Sequence, residues 1–340
     1  MNVSELGEFG LIDILSRMAY ATRDREAAAW QKLVLGIGDD AAAWQGEAAI
    51  QLATTDALIQ DIHFTLKTIS WEELGWRALA ANLSDIAAMG GLPRYALVSL
   101  ALPGHTEVED VVIFFRGMLD LAQQSGVAII GGDTCSAPLV AINITVLGSA
   151  AQDDHLLTRS AARPGDQIAV TGYLGGGAAG LEILRQDIPT KPGVARKLKR
   201  AFTRPQPRVA EGQALAASGV KAAIDISDGL VADLRHICQA SRVSARVETN
   251  RVPILPEVKA SFADRALELA LSGGEDYELL FTAESTIIDR VKDAISCPVT
   301  VIGEITEDET GKITLIGEKG QPLDLPRAGW EHFREGQPQP

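Results

Sequence analysis

Aspartates in this chain recur where strand-like apolar runs give way to glycine, serine, threonine or alanine. Asp39 and Asp40 lie in Gly36-Ile37-Gly38-Asp39-Asp40-Ala41. Asp56 follows Thr54 and Thr55, Asp133 follows Gly131 and Gly132, and Asp225 and Asp228 bracket Ser227. Asp85 interrupts an otherwise small and apolar stretch, 80–88. Small neighbours let backbone and ligand approach closely. An unpaired buried carboxylate costs on the order of several kcal/mol, so many acids with few Lys or Arg beside them call for another cation. Hard oxygen ligands without His or Cys point to Mg²⁺, which keeps waters and bridges carboxylates to phosphates.

Helical and strand signals alternate throughout. Ser4 is placed to cap a first helix carrying Leu11, Ile12, Leu15 and Met18 at helical spacing. Residues 48–53 read as a strand running into Thr54-Thr55-Asp56. Ser70 and Glu73 form a capping box opening a helix to Met89, stopped by Gly90-Gly91. Residues 95–102 read as a strand, 106–124 as a helix, 127–130 as a buried strand meeting Gly131-Gly132-Asp133, and 139–147 as another strand. A boundary falls near 150–165, where Gln152–His155 is polar and Arg163-Pro164-Gly165-Asp166 is turn chemistry. A second α/β pattern follows, with strands at 167–171, 222–226 and 277–282, helices near 193–202 and 207–217, and one from Gly229 to Ala240. The tail 336–340 reads as frayed.

At 340 residues the length suits roughly two domains. With 31 Lys and Arg against 45 Asp and Glu, the net charge is −14, the wrong sign for a nucleic-acid binder held by bulk charge. Cys135, Cys238 and Cys297 are far apart, which argues against a zinc or disulfide framework and for a reducing compartment. Glu5, Glu8 and Asp13 stand where a signal peptide needs basic and apolar residues. The most apolar stretch, 126–151, is broken by Asp133 and Pro138, so no membrane partner and a cytoplasmic location are expected.

Other phosphate-handling motifs are missing. There is no GxxxxGK[ST] loop and no HRD/DFG set. Gly175-Gly176-Gly177 before a helix reads first as a flexible loop and second as a phosphate cradle on a helix N-terminus. His63 is the histidine best placed for substrate contact, with a polar loop residue as the plain alternative.

Together the motifs resemble the thiamine-monophosphate kinase family. The carriers are GIGDDAA (36–42), TTDALIQDIHF (54–64), ALAANLSDIAAMGGLPRYALVSLALP (78–103), IIGGDT (129–134), LTRSAARPGD (157–166), AIDISDGL (223–230), SGGEDYELLFT (272–282) and GWEHF (329–333). GGDT is shared across a wider superfamily that includes aminoimidazole ribonucleotide synthetase, selenophosphate synthetase and a hydrogenase-maturation dehydratase. The ordered set is specific to the kinase. One departure is Ala161, where the family carries Gly.

The resemblance implies direct in-line transfer of the ATP γ-phosphate to thiamine monophosphate, with several Mg²⁺ ions. It implies a two-domain α/β and α+β fold. The N-terminal domain, 1–150, would bind ATP and Mg²⁺ and pair its mixed sheet in a homodimer; the C-terminal domain, 151–335, would close the cleft. The implied metal ligands are Asp40, Thr54, Thr55, Asp56, Asp85, Asp133, Asp225 and Asp228. ATP contacts would be Gly132, Asp133, Arg159 and Ser227, and thiamine monophosphate contacts His63, Glu275 and Trp330. No catalytic side chain is assigned, because the attacking phosphate oxygen is already ionised. A dehydratase of the superfamily would carry a cysteine at its end, where this chain has Gly336-Gln337-Pro338-Gln339-Pro340; a synthetase of selenophosphate would need one near its start. A non-catalytic nucleotide-binding subunit would have lost the acids.

Overall fold

A computed structural model describes residues 1–6, 8–24, 26–35, 43, 44, 46, 50–150, 156–186, 188–324 and 329. They form two compact units, one from residues 1–86 and 92–150 and one from 87–91 and 156 onward.

The first unit runs α1 (Val3–Leu6), α2 (Glu8–Ala21), α3 (Ala28–Lys32), β1 (Leu33–Leu35), β2 (Ala43–Trp44), β3 (Ile50–Ile59), α4 (Trp71–Ala88), β4 (Leu92–Leu102), α5 (Val108–Gln124), β5 (Ala128–Ser136) and β6 (Ala141–Ala150). At α1, Asn2 replaces the expected Ser4 as cap: its Oδ1 accepts the Glu5 N–H at 3.0 Å and the Ser4 hydroxyl at 2.7 Å. The α4 box forms as the spacing predicts, with the Ser70 N–H donating to Glu73 Oε2 at 3.1 Å and the Glu73 N–H to Ser70 Oγ at 3.3 Å. Helix α5 starts at Val108 rather than Thr106, behind Glu107.

The main sheet has the order β3-β6-β4-β5, with only β4 and β5 parallel. Strands β3 and β5 run through the acids instead of stopping before them. The reason is pairing: β3 stays in register with β6 from Ile50–Ala150 to Ile59–Ala141, and β-branched Thr54 and Thr55 suit an extended chain. Ile142, Ile144 and Val146 of β6 are buried on the face that carries α4. The opposite face leaves Gln51, Ala53, Thr55, Ala57 and Asn143 exposed.

Helices α4 and α5 cross at backbone contact. A Cβ on Gly75 would fall 1.9 Å from the Phe114 carbonyl oxygen, and one on Gly117 would fall 1.9 Å from that of Glu72. This reciprocal pair of glycines seats the helix that carries Asp85.

The second unit comprises β7 (Gln167–Thr171), α6 (Gly176–Arg185), α7 (Pro192–Thr203), α8 (Val209–Ser218), β8 (Ala222–Asp225), α9 (Leu230–Ser241), β9 (Ser244–Glu248), α10 (Pro256–Phe262), α11 (Ala266–Ser272), β10 (Leu279–Ala283), α12 (Ser285–Ala294), β11 (Val299–Thr306), β12 (Ile313–Ile316) and β13 (Pro322–Leu323). Its sheet has the order β13-β12-β9-β11-β7-β10-β8. Alternate residues feed two cores. Ile168, Val170, Ile224 and Leu280 join Leu230, Leu234 and Ile237 of α9, while Ala169, Ala223, Leu279 and Phe281 join Leu215 of α8 and Ile288 and Val291 of α12. Both faces are covered, which explains why these strands read as continuous apolar runs.

Gly117→Ala should destabilise the chain by about 1–3 kcal/mol, the cost of overpacking at a backbone contact. Urea unfolding checks this; an unchanged midpoint would show that the helices separate freely.

Candidate active site

In the first unit, Thr54 and Asp56 share the α4-facing side of β3 with buried Leu58. The Thr54 hydroxyl donates to Asp85 Oδ2 at 2.5 Å. This bond ties the acid-bearing strand to the acid-bearing helix, so Thr54, Asp56 and Asp85 form one group. Thr55 points the other way. Its hydroxyl lies 3.1 Å from Asn143 Oδ1 and 3.0 Å from Thr145 Oγ1 on β6, so the two threonine side chains do not converge.

Asp133 is not brought to this group. Strands β3 and β5 are the two edges of the sheet. Asp56 pairs with Ile144, Ile144 with Val98, and Val98 with Gly132. Three strand spacings, about 14 Å, therefore separate Asp56 from the Gly132-Asp133 edge. Gly132 has its own structural cause: a Cβ there would fall 1.8 Å from the Val98 carbonyl oxygen.

His63 lies in the turn after β3. Its Nδ1 accepts the Ile59 N–H at 3.0 Å, which leaves the proton of the neutral ring on Nε2.

In the second unit, Asp225 ends β8 and is buried, and Ser227 and Asp228 follow on a half-buried turn. The Glu275 N–H donates to the Ser227 carbonyl at 2.8 Å, and the Tyr277 N–H to that of Ile226 at 2.9 Å. These bonds bring Asp225, Ser227, Asp228 and Glu275 together. Glu275 (φ 73°) and Tyr277 (φ 52°) both sit in the left-handed region, strain that persists only where surroundings fix the backbone. Glu278 supplies part of that fixation. Its carboxylate accepts Arg208 Nε at 2.7 Å and Nη2 at 2.6 Å, plus the Thr171 hydroxyl at 2.7 Å.

Arg159 stands apart from this group. It is exposed, and its neighbour Thr158 bridges to Ala222, three residues before Asp225 on β8. Gly329 packs against the Asp228 turn, where a Cβ would fall 2.5 Å from Ala232 Cβ and 2.8 Å from the Asp228 carbonyl oxygen. Asp39, Asp40 and Trp330 lie outside the described residues.

Two acids carry roles that the sequence reading missed. Asp276 fills the start of α6: its carboxylate accepts the Gly175 N–H at 2.7 Å and the Gly177 N–H at 2.9 Å. The glycine triplet is thus neither a loose loop nor a phosphate cradle, because the chain's own Asp276 carboxyl occupies it. Burial outweighs these bonds and pushes the Asp276 pKa up to about 7, though the residue as a whole is only half-buried. Asp233, buried on α9, lies with Asp228 and His236 so that one ligand atom from each falls within 4.8 Å of the others. Burial, with Asp225 and Asp228 beside it, pushes the Asp233 carboxyl well above the usual range. Spacing in SDGLVAD would have flagged this aspartate.

The donor set fits a hard divalent cation. It consists of carboxylate and hydroxyl oxygens, with His236 beside Asp228 and Asp233, and burial with neighbouring acids disfavours the charged form of Asp233. Among the described residues, no helix is long and apolar enough to cross a membrane.

Residues 38–150 match the model for AIR synthase related protein, N-terminal domain, and residues 163–316 the corresponding C-terminal domain. The thiamine-monophosphate kinase of Bacillus subtilis is 36% identical over 310 residues, covering 88% of this chain and 94% of that protein. The chain belongs to the thiamine-monophosphate kinase family. The Aquifex aeolicus family member is 33% identical across 98% of this chain and all of its own length. The Stenotrophomonas maltophilia K279a kinase structure superposes with TM-score 0.79 at 34% identity, covering 93% and 98% of the two chains. AaThiL complexed with AMPPCP and TMP gives TM-score 0.74 at 31% identity, covering 98% and 99%. A hydrogenase maturation protein HypE structure, 18% identical with TM-score 0.75, shares the fold.

The raised Asp276 pKa sets a direction for stability. The folded chain keeps this proton up to about pH 7, whereas the unfolded chain releases it near pH 4. Between those values the folded state binds the extra proton, so stability falls as pH rises. Relative to Asp276→Asn, the wild-type chain should lose stability from pH 4.5 to 7, by at most ~1.4 kcal/mol per pH unit. Parallel melting profiles for the two proteins would contradict this.

Proposed function

We infer that this chain transfers the γ-phosphate of ATP to thiamine monophosphate, giving ADP and thiamine diphosphate. The observation that carries the reading is the likeness, over 98% of the chain, to AaThiL complexed with AMPPCP and TMP. The two acidic groups supply the chemistry such a reaction needs. ATP and a phosphomonoester are both anions, so the barrier is one of charge and position.

Bound Mg²⁺ supplies neutralisation of phosphate charge and a bridge between phosphate oxygens. Asp56 and Asp85 on one unit, and Asp225 and Asp228 on the other, are the acids that would hold several such ions. Asp40, Asp133, Thr54 and Thr55 complete the proposed set. The Thr54–Asp85 bond holds the first pair of elements at a fixed separation. The Ser227 turn, clamped by Glu275, offers a rigid platform to the nucleotide, with Gly132 and Arg159 as further contacts. His63, Glu275 and Trp330 are assigned to thiamine monophosphate. The attacking phosphate oxygen is ionised, so no side chain needs to remove a proton.

The reading includes a homodimer. The first unit has two sheet edges and, on the face opposite α4, exposed Gln51, Ala53, Thr55, Ala57 and Asn143. Asp56 and Asp133 lie on opposite edges, too far apart to serve one ion within a single copy. In this reading a second copy supplies Asp133 to the group that holds Asp56.

Incubation with Mg²⁺ and ATP should release ADP only when thiamine monophosphate is added, with thiamine diphosphate in equal amount by chromatography. ADP without thiamine diphosphate would assign the chain to a different acceptor. Asp56→Ala should abolish turnover at saturating ATP, and Trp330→Ala should raise the KM for thiamine monophosphate more than that for ATP. Near-normal kcat in the first, or unchanged KM in the second, would remove that residue from the site.

A further inference from the structure

Helix α9 starts without an ordinary cap. Its N-cap position is Gly229 (φ 119°), which has no side chain to accept the free N–H groups of the first turn. Asp233, one turn inside the helix, reaches back in its place. A single oxygen, Oδ2, accepts the Gly229 N–H at 3.0 Å and the Asp228 N–H at 3.2 Å. Asp233 is 2% exposed, and its helix is anchored by Leu230, Leu234 and Ile237, each 0% exposed. The support is therefore stiff.

The turn is held from its other sides as well. A Cβ on Gly229 would fall 2.9 Å from the Ser272 carbonyl, and one on Gly274 would fall 2.1 Å from the Ser227 carbonyl oxygen. The carbonyl of Ser227 is taken by the Glu275 N–H. Within this frame, Asp233 holds the N–H of Asp228 itself.

We propose that Asp233 is a positioning residue: by gripping the Asp228 and Gly229 N–H groups it sets the Ser227-Asp228-Gly229 turn in the shape that serves the nucleotide and its cation. This rests on the kinase reading above. The role needs an acceptor oxygen and not a charge. Asp233→Asn keeps an acceptor able to take both N–H groups, whereas Asp233→Ala removes it. A direct ligand to the ion, alongside Asp228 and His236, would need the charge.

Mn²⁺ binding to the full chain with a non-hydrolysable ATP analogue, read by electron paramagnetic resonance, separates the two. Asp233→Ala should weaken Mn²⁺ binding about tenfold or more, the usual effect of losing an outer support. Asp233→Asn should stay within about threefold of the wild-type chain on the same scale. Leu234→Ala, which loosens the same helix, should lower the melting temperature and leave Mn²⁺ binding unchanged. Gly229→Ala, which strains the turn from the other side, should weaken Mn²⁺ binding as Asp233→Ala does, and decides the matter if Asp233→Ala does not fold. Wild-type affinity in Asp233→Ala, or equal loss in Asp233→Asn and Asp233→Ala, would overturn the proposal. Wild-type protein that binds Mn²⁺ and the analogue yet makes no thiamine diphosphate would remove the kinase reading and leave the Asp233 comparison standing.

Discussion

Crowded carboxylates are the constraint on which the rest of this structure depends. The fold answers it in two ways. Some acids are satisfied by the chain's own donors: Asp276 by the N–H groups that open α6, Asp233 by those that precede α9, and Glu278 by Arg208 and Thr171. These bonds fix turns and helix starts. Asp56 and Asp85 are held on a strand and a helix of the first unit, and Asp225 and Asp228 on a strand end and a pinned turn of the second. Under the kinase reading proposed above, a cation would offset the repulsion within each of these acidic groups.

Rigidity follows from close backbone approach. The Gly75–Gly117 crossing seats α4, and with it Asp85. The Gly274 and Gly229 approaches seat the Ser227 turn. Such sites tolerate no added carbon, so α4 and the Ser227 turn are held by direct backbone contact. Preorganisation of this kind is what an electrostatic reaction requires, since dipoles and charges set in advance need no rearrangement during transfer.

Local signals in the chain foretold much of this. Ser70 and Glu73 announced α4, Gly90 and Gly126 marked helix ends, and the acids singled out at 56, 85, 225 and 228 fall in the two acidic groups, while Asp133 does not. What escaped was tertiary. Asp56 and Asp133 lie inside strands because β3 is held by its ladder with β6 and β5 by its pairing with β4, a fact of neighbours rather than of local composition. Thr54 and Thr55 split between two faces for the same reason. The glycine triplet could not reveal its occupant, because Asp276 lies 99 residues away from Gly177 in the chain. Asp233 was hidden by the expectation that a helix is capped from in front.

Subunit complementation tests most directly the claim that the acids act as one assembled cluster. Protein carrying Asp56→Ala and protein carrying Asp133→Ala, each expected to be inactive alone, are dissociated, mixed and reassociated. If one site draws Asp56 from one copy and Asp133 from the other, a mixed dimer holds one intact site of two, and activity returns to about a quarter of the wild-type value for equal random mixing. No recovery in mixed dimers verified by mass would contradict the account.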